Sequence, residues 1–112
     1  MKIGIVLQSN EPETVWNALR FGTTALDADH DVKVFMLGKG VELEQIKSEK
    51  FDVQSVIKTF LDKEGEMQAC GTCLTSRNTK STVCSVSTMA NLLRIVEESD
   101  KVLVFSRYFV IV

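Results

Sequence analysis

The chain opens on a nearly continuous apolar run, Ile3 to Leu7, the pattern of a strand covered on both faces in a parallel sheet. Asn10-Glu11-Pro12-Glu13 then predicts a helix start, with Asn10 as N-cap, Pro12 in the first turn and Glu13 at the capping-box position. Val15, Ala18, Leu19, Gly22, Ala25 and Leu26 recur at helical spacing, so this helix should bury one face on the sheet, with Trp16 at its border. Asp29-His30-Asp31 reads as a polar turn that leaves His30 solvated, and Val32 to Leu37 as a second strand rich in β-formers.

Gly38-Lys39-Gly40 breaks that strand, and its glycine spacing fits a plain turn and falls short of a phosphate-binding loop. Val41 to Lys50 predicts a short, charged, mostly exposed helix. From Asp52 the pattern strengthens: Val53, Val56, Ile57, Phe60 and Leu61 share a helical face, and Gly65 is placed to stop the helix. Met67 to Cys70 is a short third strand, and Asn78 to Val86 a polar loop. Ser87 is placed to cap a helix whose buried face would carry Met89, Leu92, Leu93 and Val96, and Lys101 to Phe105 is a fourth strand.

Strands alternating with helices imply right-handed crossovers and an α/β fold, a three-layer α/β/α sandwich with a mainly parallel sheet of four or five strands. At 112 residues, with no repeat or linker, residues 1–112 should form a single domain. The segment from Ser106 to Val112 is apolar enough to aggregate if exposed. It should either pair as an extra strand, favoured at a subunit interface, or end the chain irregularly.

Composition narrows the function classes. With 45% apolar and 25% charged residues the chain is of ordinary globular composition, and no apolar run approaches the roughly 20 residues that span a bilayer. The first apolar run is too short for a signal-peptide core, so the expected location is cytoplasmic, with no membrane partner. Thirteen basic and fifteen acidic residues, without a Lys/Arg block, argue against direct nucleic-acid binding. Three cysteines in a reducing compartment are not expected to be structural disulfides.

The candidate chemistry lies in Glu66 to Asn78, EMQACGTCLTSRN. Read as strand, tight turn and helix, this segment puts Cys70 at the carboxyl end of a strand, where open α/β sheets place their ligand sites. Cys73 then lies near a helix N-terminus, with Arg77 one turn further on. A thiol of pKa about 8.5 is about 3% thiolate at pH 7, and lowering the pKa to about 6.5 makes roughly three quarters of it thiolate. That shift corresponds to about 2.7 kcal/mol, within the reach of a helix N-terminus and a guanidinium.

Three other uses stay open. Cys70 and Cys73 could be small buried hydrophobes. They could hold a metal, although one doublet with a lone Cys84 and a distant His30 leaves a zinc site incomplete. They could also be a CxxC thiol–disulfide redox pair, although the motif arrives later in the chain than in thioredoxin-like proteins. Cys84, without a partner nearby in sequence, reads as a structural residue first and a peripheral candidate second.

The segments IVLQSNEPETVWNALRFGTTAL, VKVFMLGKGVE, ACGTCLTSR and CSVSTMANLLRIVEESDKVLVF together resemble the DsrE/DsrF family of small sulfur-handling proteins over nearly the whole chain. The resemblance implies the α/β/α sandwich, assembly into homo-oligomers such as trimers or hexamers, and partners that donate and accept sulfur. It also implies a persulfide-carrying cysteine at the end of the strand before a short helix. Cys70 matches that residue, Cys73 would be a second or resolving thiol, and Arg77 matches a basic position. No cofactor is implied, and whether the chain turns over as a sulfurtransferase stays open. Asn78 stands where a glycine is common in the family, and asparagine tolerates the left-handed backbone a turn there would need.

Overall fold

The computed structural model describes residues 1–106 and 109–111, the last three by backbone only. Eleven elements follow one another: β1 (Lys2–Leu7), α1 (Pro12–Asp27), β2 (Asp31–Met36), a 3-10 helix (Gly38–Gln45), α2 (Val53–Asp62), β3 (Glu66–Cys70), α3 (Gly71–Ser76), β4 (Ser85–Ser87), α4 (Met89–Glu98), β5 (Lys101–Phe105) and β6 (Phe109–Ile111). They build one sheet of order β4-β3-β2-β1-β5-β6. Its first five strands run parallel, and β6 pairs antiparallel with β5. The expected sandwich is present: α1 and α2 cover one face and α4 the other.

Strand parity decides which layer each side chain joins. On β2, Val34 and Met36 enter the large core with Val15 and Leu19 of α1 and Ile57 and Phe60 of α2. Phe35, pointing the other way, forms a smaller cluster with Ile95 of α4. The same alternation on β3 sends Met67 and Ala69 into the large core and Cys70 to the α4 side. The site thiol thus starts out under α4, not in the main core.

Local departures from the sequence reading have physical causes. The first helix is capped by Glu11, not Asn10: the Glu11 carboxylate accepts from the amides of Glu13 and Thr14, and this bond holds its pKa below the ordinary range. The segment expected as an exposed helix over 41–50 is a 3-10 helix that starts at Gly38 and stops at Gln45, with Val41 and Leu43 buried. Gly40 lies so close to β1 that an added Cβ would meet the Leu7 carbonyl oxygen at 2.0 Å. Part of the expected polar loop over 78–86 pairs with β3 as β4. This strand is too short, and Ser85 and Ser87 too polar, to register as a strand pattern.

The helix α4 is capped by Thr88, not Ser87, and of the face its periodicity predicted only Leu92 turns inward, against the Phe35, Cys70 and Ile95 cluster. Ile95 is buried, whereas Met89 and Leu93 are 57% and 59% exposed and Val96 is also exposed. At the other end, Ile111 pairs with Leu103 and Phe109 with Phe105, so the tail adds a strand within the chain. Arg107, Tyr108 and Val112, which belong to the same expectation about the tail, lie outside the described residues. No helix among the described residues is long and apolar enough to cross a membrane.

Candidate functional site

Cys70 ends β3 and is itself the N-cap of α3. With extended dihedrals (φ −60°, ψ 117°) it turns the chain from strand to helix, and its Sγ accepts the Cys73 amide at 3.4 Å. A thiol here occupies the capping place usually held by a side-chain oxygen. Gly71 follows directly, and a Cβ there would press on Val86 at 3.1 Å. Cys70 is 2% exposed, packed with Phe35 and Ile95.

Cys73 lies in the first turn of α3, partly exposed, and touches both hydrophobic clusters. Its Sγ accepts the Gly38 amide at 3.3 Å. Burial pushes this thiol above its ordinary pKa. The Gly38 amide opposes that rise, the adjacent Cys70 adds to it through a hydrogen bond and its charge, and Arg77 opposes it. The activation expected from helix and guanidinium is therefore outweighed at Cys73 by loss of water.

Arg77 sits at the C-cap of α3, where it is engaged elsewhere: its Nη1 donates to Glu42 Oε1 at 2.9 Å. Asn10 Nδ2 donates to the same oxygen at 3.2 Å. Glu42 thus draws Arg77 toward the 3-10 helix and offsets its charge near the thiols. Beside this pair lies a hollow of about 290 Å³ lined by Asn10, Pro12, Glu42, Gln45, Ile46 and Lys47. A larger concavity of about 540 Å³ opens at the opposite, amino-terminal edge of the sheet, among Lys2, His30, Lys33, Lys63, Glu66 and Glu98. It contains no cysteine, and its wall includes the surface ion pair Lys33–Glu66. The Cys70–Cys73 pair lies at the other, carboxyl-terminal edge of the sheet, the edge of the smaller hollow. His30 Nδ1 accepts from the Met1 amino group, 2.8 Å away, far from the thiols as expected.

Cys84 does not join the pair. It packs in the large core, its amide donates to Ser81 Oγ at 3.0 Å, and burial pushes its thiol up to about 11, helped by the charge of Glu44 and opposed by Ser81. Glu44 ties this loop to the 3-10 helix, accepting from the Thr82 amide at 3.0 Å, the Thr82 hydroxyl at 2.6 Å and the Val83 amide at 3.2 Å. Among the described residues no three His, Cys, Asp or Glu side chains converge as metal ligands.

Sequence reasoning missed three parts of the surroundings. The Gly38 amide reaches Cys73, although Gly38-Lys39-Gly40 read as a plain turn; the signal available was a glycine directly after an apolar run, and in the fold its φ is positive (55°). Glu42 was hidden in a charged stretch. Ser87, the neighbour of Cys70 across the β3–β4 pairing, donates to Gln68 Oε1 at 2.7 Å and accepts from Asn91 Nδ2 at 2.9 Å. The expected left-handed turn after Arg77 is present, with Asn78 at φ 48°.

The geometry described here can be set beside known proteins. Over 100 residues the chain is 32% identical to an uncharacterized protein of Methanocaldococcus jannaschii, covering 83% of this chain and 88% of that one. It is 30% identical over 100 residues to an uncharacterized protein of Methanopyrus kandleri, covering 83% of each. A solved structure from Bacteroides thetaiotaomicron, described as a conserved protein of unknown function, superimposes with a TM-score of 0.75 at 19% identity, covering 92% of this chain and 93% of that one. At that identity the likeness concerns fold alone. The model of the DsrE/DsrF-like family matches residues 1–105, a span that includes every strand of the parallel sheet and all three cysteines, and the chain belongs to that family.

Proposed function

We propose that the protein is a sulfur carrier, a sulfurtransferase-like relay component that holds a persulfide on Cys70 between a donor and an acceptor. One observation carries the reading: in a DsrE/DsrF-like chain, Cys70 stands at the strand-to-helix junction with its Sγ against a backbone amide. Family membership points to sulfur-relay chemistry in general, and the assignment to Cys70 is the finer step. The Cys70 sulfur is held in place there by the Cys73 amide, which donates to it at 3.4 Å. Cys73 assists as second thiol, and Arg77, shared with Glu42, supplies a partly offset positive field.

The homo-oligomer implied by the resemblance finds support in α4. Met89, Leu93 and Val96 are exposed apolar side chains on one short helix, and Val86 of the adjacent β4 is 70% exposed. Exposed apolar side chains of this kind suit a subunit contact. Leu93→Glu is expected to shift the particle to a smaller mass in light scattering; an unchanged mass would remove α4 from the interface.

Intact-mass measurement after incubation with a small persulfide donor tests the carrier reading. Wild type should gain one sulfur atom per chain, and Cys70→Ser should gain none. Uptake that persists undiminished in Cys70→Ser would move the site elsewhere. Stoichiometric zinc with no sulfur uptake would favour the metal-binding alternative.

A further inference from the structure

The two thiols differ in access. Cys70 is 2% exposed beneath Phe35 and Ile95, whereas Cys73 is partly exposed and in hydrogen-bond contact with it. A partner's thiol must reach past this packing to attack a sulfur on Cys70, while Cys73 is already beside it. Intramolecular placement of this kind corresponds to effective concentrations far above those of any partner in solution. The Gly38 amide, 3.3 Å from Cys73 Sγ, holds the second thiol at that spot.

Resting on the carrier reading, we propose that Cys73 discharges the sulfur held on Cys70 as hydrogen sulfide, leaving a Cys70–Cys73 disulfide that a dithiol reductant must reopen. The Cys73 thiolate attacks Cys70 Sγ, the inner sulfur of the persulfide. A Cys73–Cys70 S–S bond forms, and the bond from Cys70 Sγ to the outer sulfur breaks. The outer sulfur departs as HS⁻ with the bonding electron pair, so it is reduced to sulfide while the Cys73 sulfur is oxidised. The balance is Cys73–S⁻ + Cys70–S–SH → Cys70–S–S–Cys73 + HS⁻, with no external oxidant. Residues three apart at the start of a helix lie within reach of a disulfide after a small rotation. The reset is an ordinary exchange with a dithiol.

The surroundings of Cys73 set the pace. The groups facing it are Cys70 from the end of β3, Arg77 from the end of α3 and the Gly38 amide from the 3-10 helix, with Glu42 acting through Arg77. The small cluster above it contributes Ile95 and Leu92, both apolar. Burial keeps the thiol largely protonated near neutral pH, so a loaded chain retains its sulfur there for longer than an ordinary thiol pair would allow. As pH rises the thiolate fraction grows, and discharge should quicken about tenfold from pH 7 to pH 8.

The test loads wild type and Cys73→Ser with a small persulfide donor, removes the donor, and follows intact mass and free sulfide at both pH values. Wild type should lose its added sulfur, release one equivalent of sulfide and end two hydrogen atoms lighter than the reduced chain. Cys73→Ser should keep its sulfur on Cys70, as located by peptide mapping. Equal retention by both chains, or equal release by both, would overturn the proposal while leaving the carrier reading intact. Failure of both chains to take up sulfur, with no sulfide released by wild type, would overturn the carrier reading and the discharge with it.

Discussion

Two glycines after β2 offer the sharpest test of how the fold holds the site. Gly38 and Gly40 are two residues apart, yet they are glycine for different reasons. At Gly38 the backbone is left-handed, φ 55°, and a Cβ would meet nothing within 4 Å. Alanine there costs the left-handed penalty alone, about 1 kcal/mol. At Gly40 a Cβ would sit 2.0 Å from the Leu7 carbonyl oxygen and 2.9 Å from its carbon, main-chain atoms that cannot swing aside. That oxygen also accepts the Leu37 amide at 2.9 Å. Relieving the clash separates the 3-10 helix from β1, costing that bond about 1 kcal/mol and the packing of Val41 and Leu43 about 2 kcal/mol more. Gly40→Ala should therefore lose about 3 kcal/mol. At about 4 °C per kcal/mol for a domain of this size, its Tm should fall by about 12 °C, against about 4 °C for Gly38→Ala. Thermal unfolding followed by circular dichroism, with urea titration as a check, measures both. A Gly40→Ala drop no larger than that of Gly38→Ala would refute the reasoning.

Further outcomes follow from the charges and thiols. The lowered pKa of Glu44, held down against burial by Ser81, Thr82 and Val83, means that its contribution to stability is fully present above the unfolded value of 4.5 and is lost as pH falls through the folded one. Protection of the Thr82 and Val83 amides against hydrogen exchange, relative to the intrinsic rate at each pH, should accordingly fall as pH drops below 4.5, and Glu44→Gln should flatten that dependence. Glu42→Gln removes the partner of Arg77; the alkylation profile of Cys73 should move to lower pH because the Arg77 charge, which opposes the raised thiol pKa, is no longer offset, and an unchanged profile would show that Arg77 does not act on this thiol. In the native chain alkylation should reach Cys73 first and Cys84 last, since Cys84 is buried with its thiol at about 11. Peptide mapping over a time course reads the order, and early labelling of Cys84 would contradict its placement.

Much of the fold was legible because the strands are apolar runs and α1 and α2 carry a clear helical stripe. Cys70 at the end of β3 and the left-handed Asn78 were legible for the same local reasons. What stayed hidden depends on tertiary contact. The orientation of α4 cannot be read from its own stripe, because Met89, Leu93 and Val96 are apolar yet face outward in this chain. The strand β4 exists by pairing with β3, not by its own pattern. At the site, Arg77 had the right spacing to serve the thiols, but Glu42, thirty-five residues earlier, claims it. Burial, which periodicity only hints at, reverses the expected effect on Cys73.

The carrier role of Cys70 is the central claim. Its most direct measurement is site-resolved mass spectrometry of the chain after brief exposure to a persulfide donor at neutral pH. The account predicts one added sulfur on the peptide holding Cys70 and Cys73, fragmenting to Cys70, and none in Cys70→Ser. Added sulfur on Cys84, or an equal load in Cys70→Ser, would contradict it.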